Sequence, residues 1–323
     1  MVGGIRFQKF SFSLRVLEQF PLPRFKGTTL RGGFGVQFKR TVCLNKSCDD
    51  CSLCSLKNVC SYSYVFETSP FEGSKKLRNI KDIPRPFVID PPPGEENIFE
   101  PGDIINFQLV LIGKAIDYLP YFILVFKELG KIGLGRKYGR FELEKVEELL
   151  LNSDRESRNI YSGQDEILHR VGPPITYADI SAADDMSFLK EITFHFLTPT
   201  RIQFDGKLIG DIEFHHIIRA LLHRLSALSY FHCGEEMKVD YKGIIARAMS
   251  VRKKYSDLKW LDIERYSSRQ KARMKLGGII GKANFLGDLS EFMPLILLGE
   301  HVHIGKSCTF GLGKYRILEA IHE

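Results

Sequence analysis

The sequence predicts an α+β protein built from two similar halves, on three observations. Stretches of alternating apolar residues recur along the chain with helix-spaced apolar stretches between them. Two segments far apart repeat one pattern, an apolar run followed by a glycine-rich loop and an alternating strand. A chain of 323 residues has room for two domains at roughly 100–200 residues each.

The elements follow in order. Residues 5–16 alternate as a strand. Thr28 or Thr29 is placed to cap a short helix with Leu30, Phe34 and Phe38 on one face. Strands are expected at 87–90 and 104–112, then a helix at 119–129 and a strand at 140–146. In the second half, 191–196 reads as a strand. Asp211 opens a helix whose Phe214, Ile217, Ile218, Leu221, Leu222, Leu225 and Leu228 fall at helical spacing. A strand at 265–276, a helix at 289–298 and a strand at 313–318 complete it. Each half fits β-α-β-β-α-β, so the expectation is tandem ferredoxin-like (RRM-like) domains, 1–160 and 185–323, joined by the polar stretch 152–185. The repeat supports the pairing. Tyr118-Leu119-Pro120, Gly130-Lys131 and Gly139-Arg140 in the first half answer to Phe292-Met293-Pro294, Gly305-Lys306 and Gly313-Lys314 in the second.

Hydrophobic residues at 44% and charged residues at 26% exclude a disordered or fibrous chain. No apolar run reaches the ~18–20 residues of a membrane helix, and the N-terminus lacks a signal-peptide stretch, so a cytoplasmic protein is expected. The net charge is +7, and its distribution matters more than its size. Residues 1–40 hold eight basic side chains and one acid, and residues 251–275 hold nine basic and three acidic. Two cationic blocks on a mildly acidic body point to a polyanion. In the second block Arg265, Ser267, Arg269, Lys271, Arg273 and Lys275 alternate with other residues, which on one strand places five cations on a single face. Such residues lie roughly 6.5–7 Å apart, close to the phosphate spacing of a nucleic acid. The alternative is a charged edge strand that discourages aggregation.

The loop from Gly305 to Tyr315 carries Lys306 and Lys314 beside Gly305, Gly311 and Gly313. Glycines there let backbone N–H groups approach a phosphate or ribose. The spacing is neither that of a Walker loop nor that of a dinucleotide fingerprint. Arg265-Tyr266-Ser267-Ser268-Arg269-Gln270-Lys271, then Gly277-Gly278, Gly281 and this loop, together resemble the C-terminal signature of the CRISPR-associated endoribonucleases that process precursor crRNA, within the RAMP superfamily. Thr28-Thr29-Leu30-Arg31-Gly32-Gly33-Phe34-Gly35 also resembles the start of the first helix in RAMP proteins. The resemblance implies tandem ferredoxin-like domains, binding of CRISPR repeat RNA, and metal-independent cleavage into guides. The rival reading is a non-catalytic RAMP subunit that holds guide RNA beside other CRISPR effector subunits.

Metal-independent cleavage uses the RNA 2′-hydroxyl as nucleophile and needs proton transfer and charge stabilisation. Many members of the family place a histidine near the first helices, and this chain has none before His169. One option, by resemblance to histidine-free members, uses Lys26, Arg31 and Lys39 as catalytic groups. Arg31, Gly35 and Lys39 share a helix face, with the glycine leaving a gap between two cations for a phosphate, and Lys26 and Arg40 stand nearby. The other option uses His216, Arg219 and His223 on the polar side of the Asp211 helix, with His215 close in angle. His301 and His303 precede the glycine loop.

Cys43, Cys48, Cys51, Cys54 and Cys60 fall within 18 residues, a metal-site pattern in a reducing compartment. Thiolates favour zinc or an iron–sulfur cluster, and four ligands suffice for either, so one cysteine is spare. A structural clip is expected rather than a redox centre; unliganded thiols are the alternative.

Overall fold

The computed structural model describes residues 4–48, 50–68, 83–92, 94, 97–151, 156–181, 189–267 and 272–322. Two compact units emerge. One comprises Arg6–Ile175 with Tyr230–Gly234; the other comprises Met1–Ile5, Thr176–Ser229 and Glu235–Glu323.

The first unit contains strands β1 (Arg6–Val16), β2 (Phe87–Asp90), β3 (Ile104–Ile112), β4 (Phe141–Leu149) and β5 (Ser157–Ser162). Its helices are α1 (Gly27–Val42), α2 (Ser61–Phe66) and α3 (Leu119–Ile132). The sheet runs β2-β3-β1-β4-β5, with every neighbour antiparallel. β1 turns Phe10, Phe12, Leu14 and Val16 into the core, where α1 and α3 cover them. Phe34 of α1 stacks on Phe122 of α3 at 4.5 Å and on Phe38 at 5.2 Å. A buried phenylalanine of this kind is worth about 3–5 kcal/mol against alanine. The helix opens one residue before the threonines expected to cap it. Its N-cap is Lys26, with no side-chain cap, and the Thr28 hydroxyl donates to the Phe25 carbonyl instead. The unit runs beyond residue 160 because β5, inside the stretch expected to be a junction, joins this sheet.

The second unit repeats the plan. Its elements are β6 (Leu189–Thr200), α4 (Phe214–Leu228), α5 (Tyr241–Ala248), β7 (Arg252–Leu261), β8 (Glu264–Ser267), β9 (Ala272–Lys275), β10 (Gly278–Leu286), α6 (Met293–Val302) and β11 (Tyr315–His322). The sheet order is β7-β10-β6-β11. In both units the four shared strands therefore lie in the order second, third, first, fourth, the ferredoxin-like arrangement. Phe214 of α4 packs on Phe285 and Phe292, and Phe194 packs on Tyr315.

Two expectations change here. Asp211 does not cap α4. Glu213 does, in a reciprocal capping box with His216, while Asp211 pairs with Lys253 at 2.6 Å. Residues 265–276 are not one strand. Among the described residues β8 and β9 pair antiparallel as a two-stranded hairpin ribbon, in which Arg265 lies opposite Met274 and Glu264 opposite Lys275.

Candidate nucleic-acid interface

The glycine-rich loop begins where α6 ends. His303 adopts φ 64°, and the buried guanidinium of Arg224 caps the helix. Its Nε and Nη2 donate to the Val302 carbonyl at 3.0 and 2.8 Å, and Nε also reaches the His303 carbonyl at 3.1 Å. The loop is then sewn to the end of β6. Lys306 N donates to Arg201 O, Gly313 N to Pro199 O, and the Thr198 hydroxyl to Gly311 O. Gly313 has φ 75°, and a Cβ there would overlap the Ile304 carbonyl oxygen. The expectation that these glycines offer amides to a phosphate is corrected for Gly311 and Gly313. Their N–H groups already bind Cys308 O and Pro199 O, and the glycines serve close backbone packing. Gly305, at φ 83°, has the same role against the Arg201 carbonyl. Lys306 is exposed at the loop tip, and Lys314 is half-buried.

The hairpin meets this loop. The Arg265 guanidinium lies 4.7 Å from the Phe310 ring centre and donates to Met274 Sδ at 3.4 Å. Burial lowers the Arg265 pKa from its usual value. The single cationic face is corrected. Arg265 pairs with Met274, so across the turn an odd-numbered residue shares a face with an even-numbered one. Arg265 and Lys275 therefore stand on opposite faces of the ribbon. Arg273 occupies the register position opposite Tyr266, and Arg269 and Lys271 lie outside the described residues. Phe310 is the residue that sequence reasoning missed. Its signal was an aromatic between Thr309 and Gly311 in the middle of a glycine-rich loop.

On α4 the histidine cluster divides. His216 Nδ1 accepts the Glu213 N–H at 3.0 Å, and its ring packs 4.4 Å from Phe204, so it is a cap. Arg219 lies over the same Phe204 ring at 5.3 Å. His223 instead stands toward the glycine loop. It is exposed, and desolvation, then the charges of Lys306 and Arg224, hold its pKa below the usual value.

The cationic face of α1 is covered. Arg31 lies 4.0 Å from the Phe66 ring centre, and Lys39 lies 5.9 Å from that of Tyr62. The space left by Gly35 is filled by the Phe66 ring, which a Cβ would overlap. The gap expected for a phosphate is thus closed by α2. Lys26 is 2% exposed, and its Nζ donates to Gly94 O at 3.2 Å and to Arg24 O at 3.5 Å. These carbonyls, not a substrate, surround the amine, which corrects its expected place beside a bound phosphate.

Cys43, Cys48, Cys51, Cys54 and Cys60 line one cavity of about 20 Å³, from the end of α1 to the start of α2. All five are free thiols. Desolvation, then the neighbouring Cys54, raises the Cys48 pKa. Among the described residues no three of His, Cys, Asp or Glu converge tightly enough to hold an ion as they stand.

Residues 194–315 match the family model of the CRISPR-associated endoribonuclease Cas6, and residues 5–172 match that of the AF_1859_N N-terminal domain. The chain belongs to the family of the AF_1859_N N-terminal domain, and its residues 194–315 carry the Cas6 match. The Cas6 match falls on the second unit, from β6 to the first residue of β11. An uncharacterized protein of Archaeoglobus fulgidus is 23% identical over 319 residues, covering 95% of this chain and 99% of that one. Among solved structures, a Cas6 product complex is similar at TM-score 0.57 and 15% identity, covering 97% of this chain and 99% of the other. Thermus thermophilus Cas6 is similar at 0.53 and 13%, with the same coverage. A partial Cas6-RT-Cas1–Cas2 complex is similar at 0.55 and 13%, covering 100% of this chain and 48% of the other. These likenesses agree with the tandem ferredoxin-like fold. No helix among the described residues is long and apolar enough to cross a membrane.

Proposed function

We propose that this chain binds CRISPR repeat RNA and cuts precursor crRNA into guides, with the RNA 2′-hydroxyl as nucleophile and no metal ion in the reaction. The observation that carries this is the coincidence of the Cas6 match with the unit in which a cationic hairpin and a glycine-rich loop join through Arg265 and Phe310. Lys306 and the hairpin cations supply charge for the backbone. His223, exposed on α4 with its pKa held below the usual value by desolvation and by Lys306, is suited to accept the 2′-hydroxyl proton. The 2′-oxygen then bonds to phosphorus as the bond to the 5′-oxygen breaks; that oxygen takes up a proton from solvent and leaves as a hydroxyl, and a 2′,3′-cyclic phosphate remains. On the likeness to Cas6 found with RT, Cas1 and Cas2, other CRISPR proteins are further partners.

The cysteine loop enters as a structural clip for a zinc ion that draws its sulfurs together. The five thiols line one cavity, so four of them can close on a single ion.

One observation favours a second reading. With Arg31 and Lys39 set over rings and Lys26 buried among carbonyls, the first helix holds its cations in structural contacts, as suits a subunit that only holds RNA. Incubating the pure protein with repeat RNA in EDTA separates the two. Cleavage to a cyclic phosphate supports the nuclease; tight binding of intact RNA supports the subunit.

A further inference from the structure

The face of the second sheet turned away from its aromatic core carries two neighbouring rows of unlike character. Phe194, Phe196, Ala283, Phe285 and Tyr315 point into the core, so the residues alternating with them stand on the other side. In one row Asn284 Nδ2 donates to Thr193 Oγ1 at 2.8 Å and to Glu191 Oε1 at 2.9 Å, and Lys254 Nζ lies 2.8 Å from that same carboxylate oxygen. Its charges cancel.

The next row takes one residue from each strand: Asp257 of β7, Lys282 of β10, His195 of β6 and Arg316 of β11. Lys282 and Arg316 are exposed and flank His195, and neither forms an ion pair among the described residues. Asp257, at the outer edge, is the acid of the row. Adjacent strands lie about 4.8 Å apart, so the two cations start about 10 Å apart with the imidazole midway. Burial, then the charge of Lys282, keeps the His195 pKa below its usual value. An imidazole between two cations that form no ion pair among the described residues, with Asp257 opposite Lys282 at the edge, offers a hydrogen bond in the middle and positive charge on both sides. That pattern matches a ribose hydroxyl between two backbone phosphates.

We propose that Lys282, His195 and Arg316 form a ribose–phosphate seat on the open face of the second sheet, with the cations on successive phosphates and His195 hydrogen-bonded to the ribose 2′-hydroxyl. It rests on the repeat-RNA binding proposed above and adds a contact surface outside the hairpin and the glycine loop.

The test is a salt series of repeat-RNA binding by fluorescence anisotropy, using the full chain, Lys282→Ala with Arg316→Ala, and His195→Ala, with folding checked by circular dichroism. Two lost phosphate contacts should weaken binding about tenfold and reduce the salt slope by about 1.4. His195→Ala should weaken RNA binding about threefold and leave DNA of the same sequence unaffected, as loss of a single 2′-hydroxyl contact requires. Wild-type binding with unchanged affinity and slope in the double variant overturns the seat and leaves the face to an acidic protein partner. Equal loss on RNA and DNA in His195→Ala overturns the ribose contact. A wild-type chain that does not bind repeat RNA overturns the seat together with the function it rests on.

Discussion

The two sheets share a strand order and differ on the face turned away from their cores. On the first sheet, Ser11, Ser13, Asn106, Glu144, Lys145 and Glu147 line one shallow hollow. Ser13 donates to Asn106 at 2.7 Å, Lys145 pairs with Glu147 at 2.8 Å, and Arg15 pairs with Glu144 at 2.5 Å. On the core side of the same sheet, the buried Glu148, opposite Phe10, is likewise met by Arg158, Gln8 and the Gly172 N–H. On the second sheet Lys282 and Arg316 form no ion pair among the described residues. Exposed ion pairs contribute little to stability, so the difference is one of field rather than folding. The shared topology sets where strands lie; charge placement decides which half attracts a polyanion.

The largest expected effect comes from reversing charge. Lys282→Glu with Arg316→Glu should lower repeat-RNA affinity about a hundredfold, because two attractive contacts become repulsive ones. Lys145→Glu on the first sheet should change it less than threefold in the same titration. A matched loss from both would erase the distinction.

The loops sharpen the comparison from the other side, because their backbones behave alike. Gly133, at φ 101°, would collide with the Tyr138 carbonyl if given a Cβ, as Gly313 would with that of Ile304. Alanine at either position should cost at least about 1–3 kcal/mol in urea unfolding. A large cost at only one would show that the loops are not equivalent.

Acid should weaken the second unit. His195, His215, His216 and His223 all have pKa values held below 6.5, chiefly by desolvation. A histidine with a lowered folded pKa takes up its proton more readily in the unfolded chain. Its stabilising contribution is therefore full above about pH 6.5 and is lost as pH falls through the folded value. Thermal unfolding followed from neutral to mildly acid pH should show this decline. A smaller effect concerns the cysteine loop. Purified protein should carry one zinc per chain, and Cys51→Ser should release it while leaving RNA affinity within about twofold, since a structural clip acts through folding rather than contact.

The sequence exposed the fold where alternation was bounded by turns, and so 87–90 and 104–112 returned with the bounds expected of them. β7 went unread because its burial alternates on neither face; Lys254, Tyr255, Asp257, Lys259 and Trp260 are all exposed on an edge strand. α2 went unread because six residues are too few to show a helical period. The same short helix closes the gap at Gly35, a fact that no local pattern could reveal. The glycine loop was legible as a feature, and its reason was not, because the carbonyls that exclude a Cβ come from distant residues. The row through His195 needed the register of four strands spread from Glu191 to Arg316.

Photocrosslinking of thiouridine-substituted repeat RNA to the full chain, with the attached peptides mapped by mass spectrometry, tests where the RNA lies. Attachment within residues 191–197, 264–282 and 304–316 is the expected result. Crosslinks confined to residues 6–175 would contradict the assignment of RNA binding to the second unit.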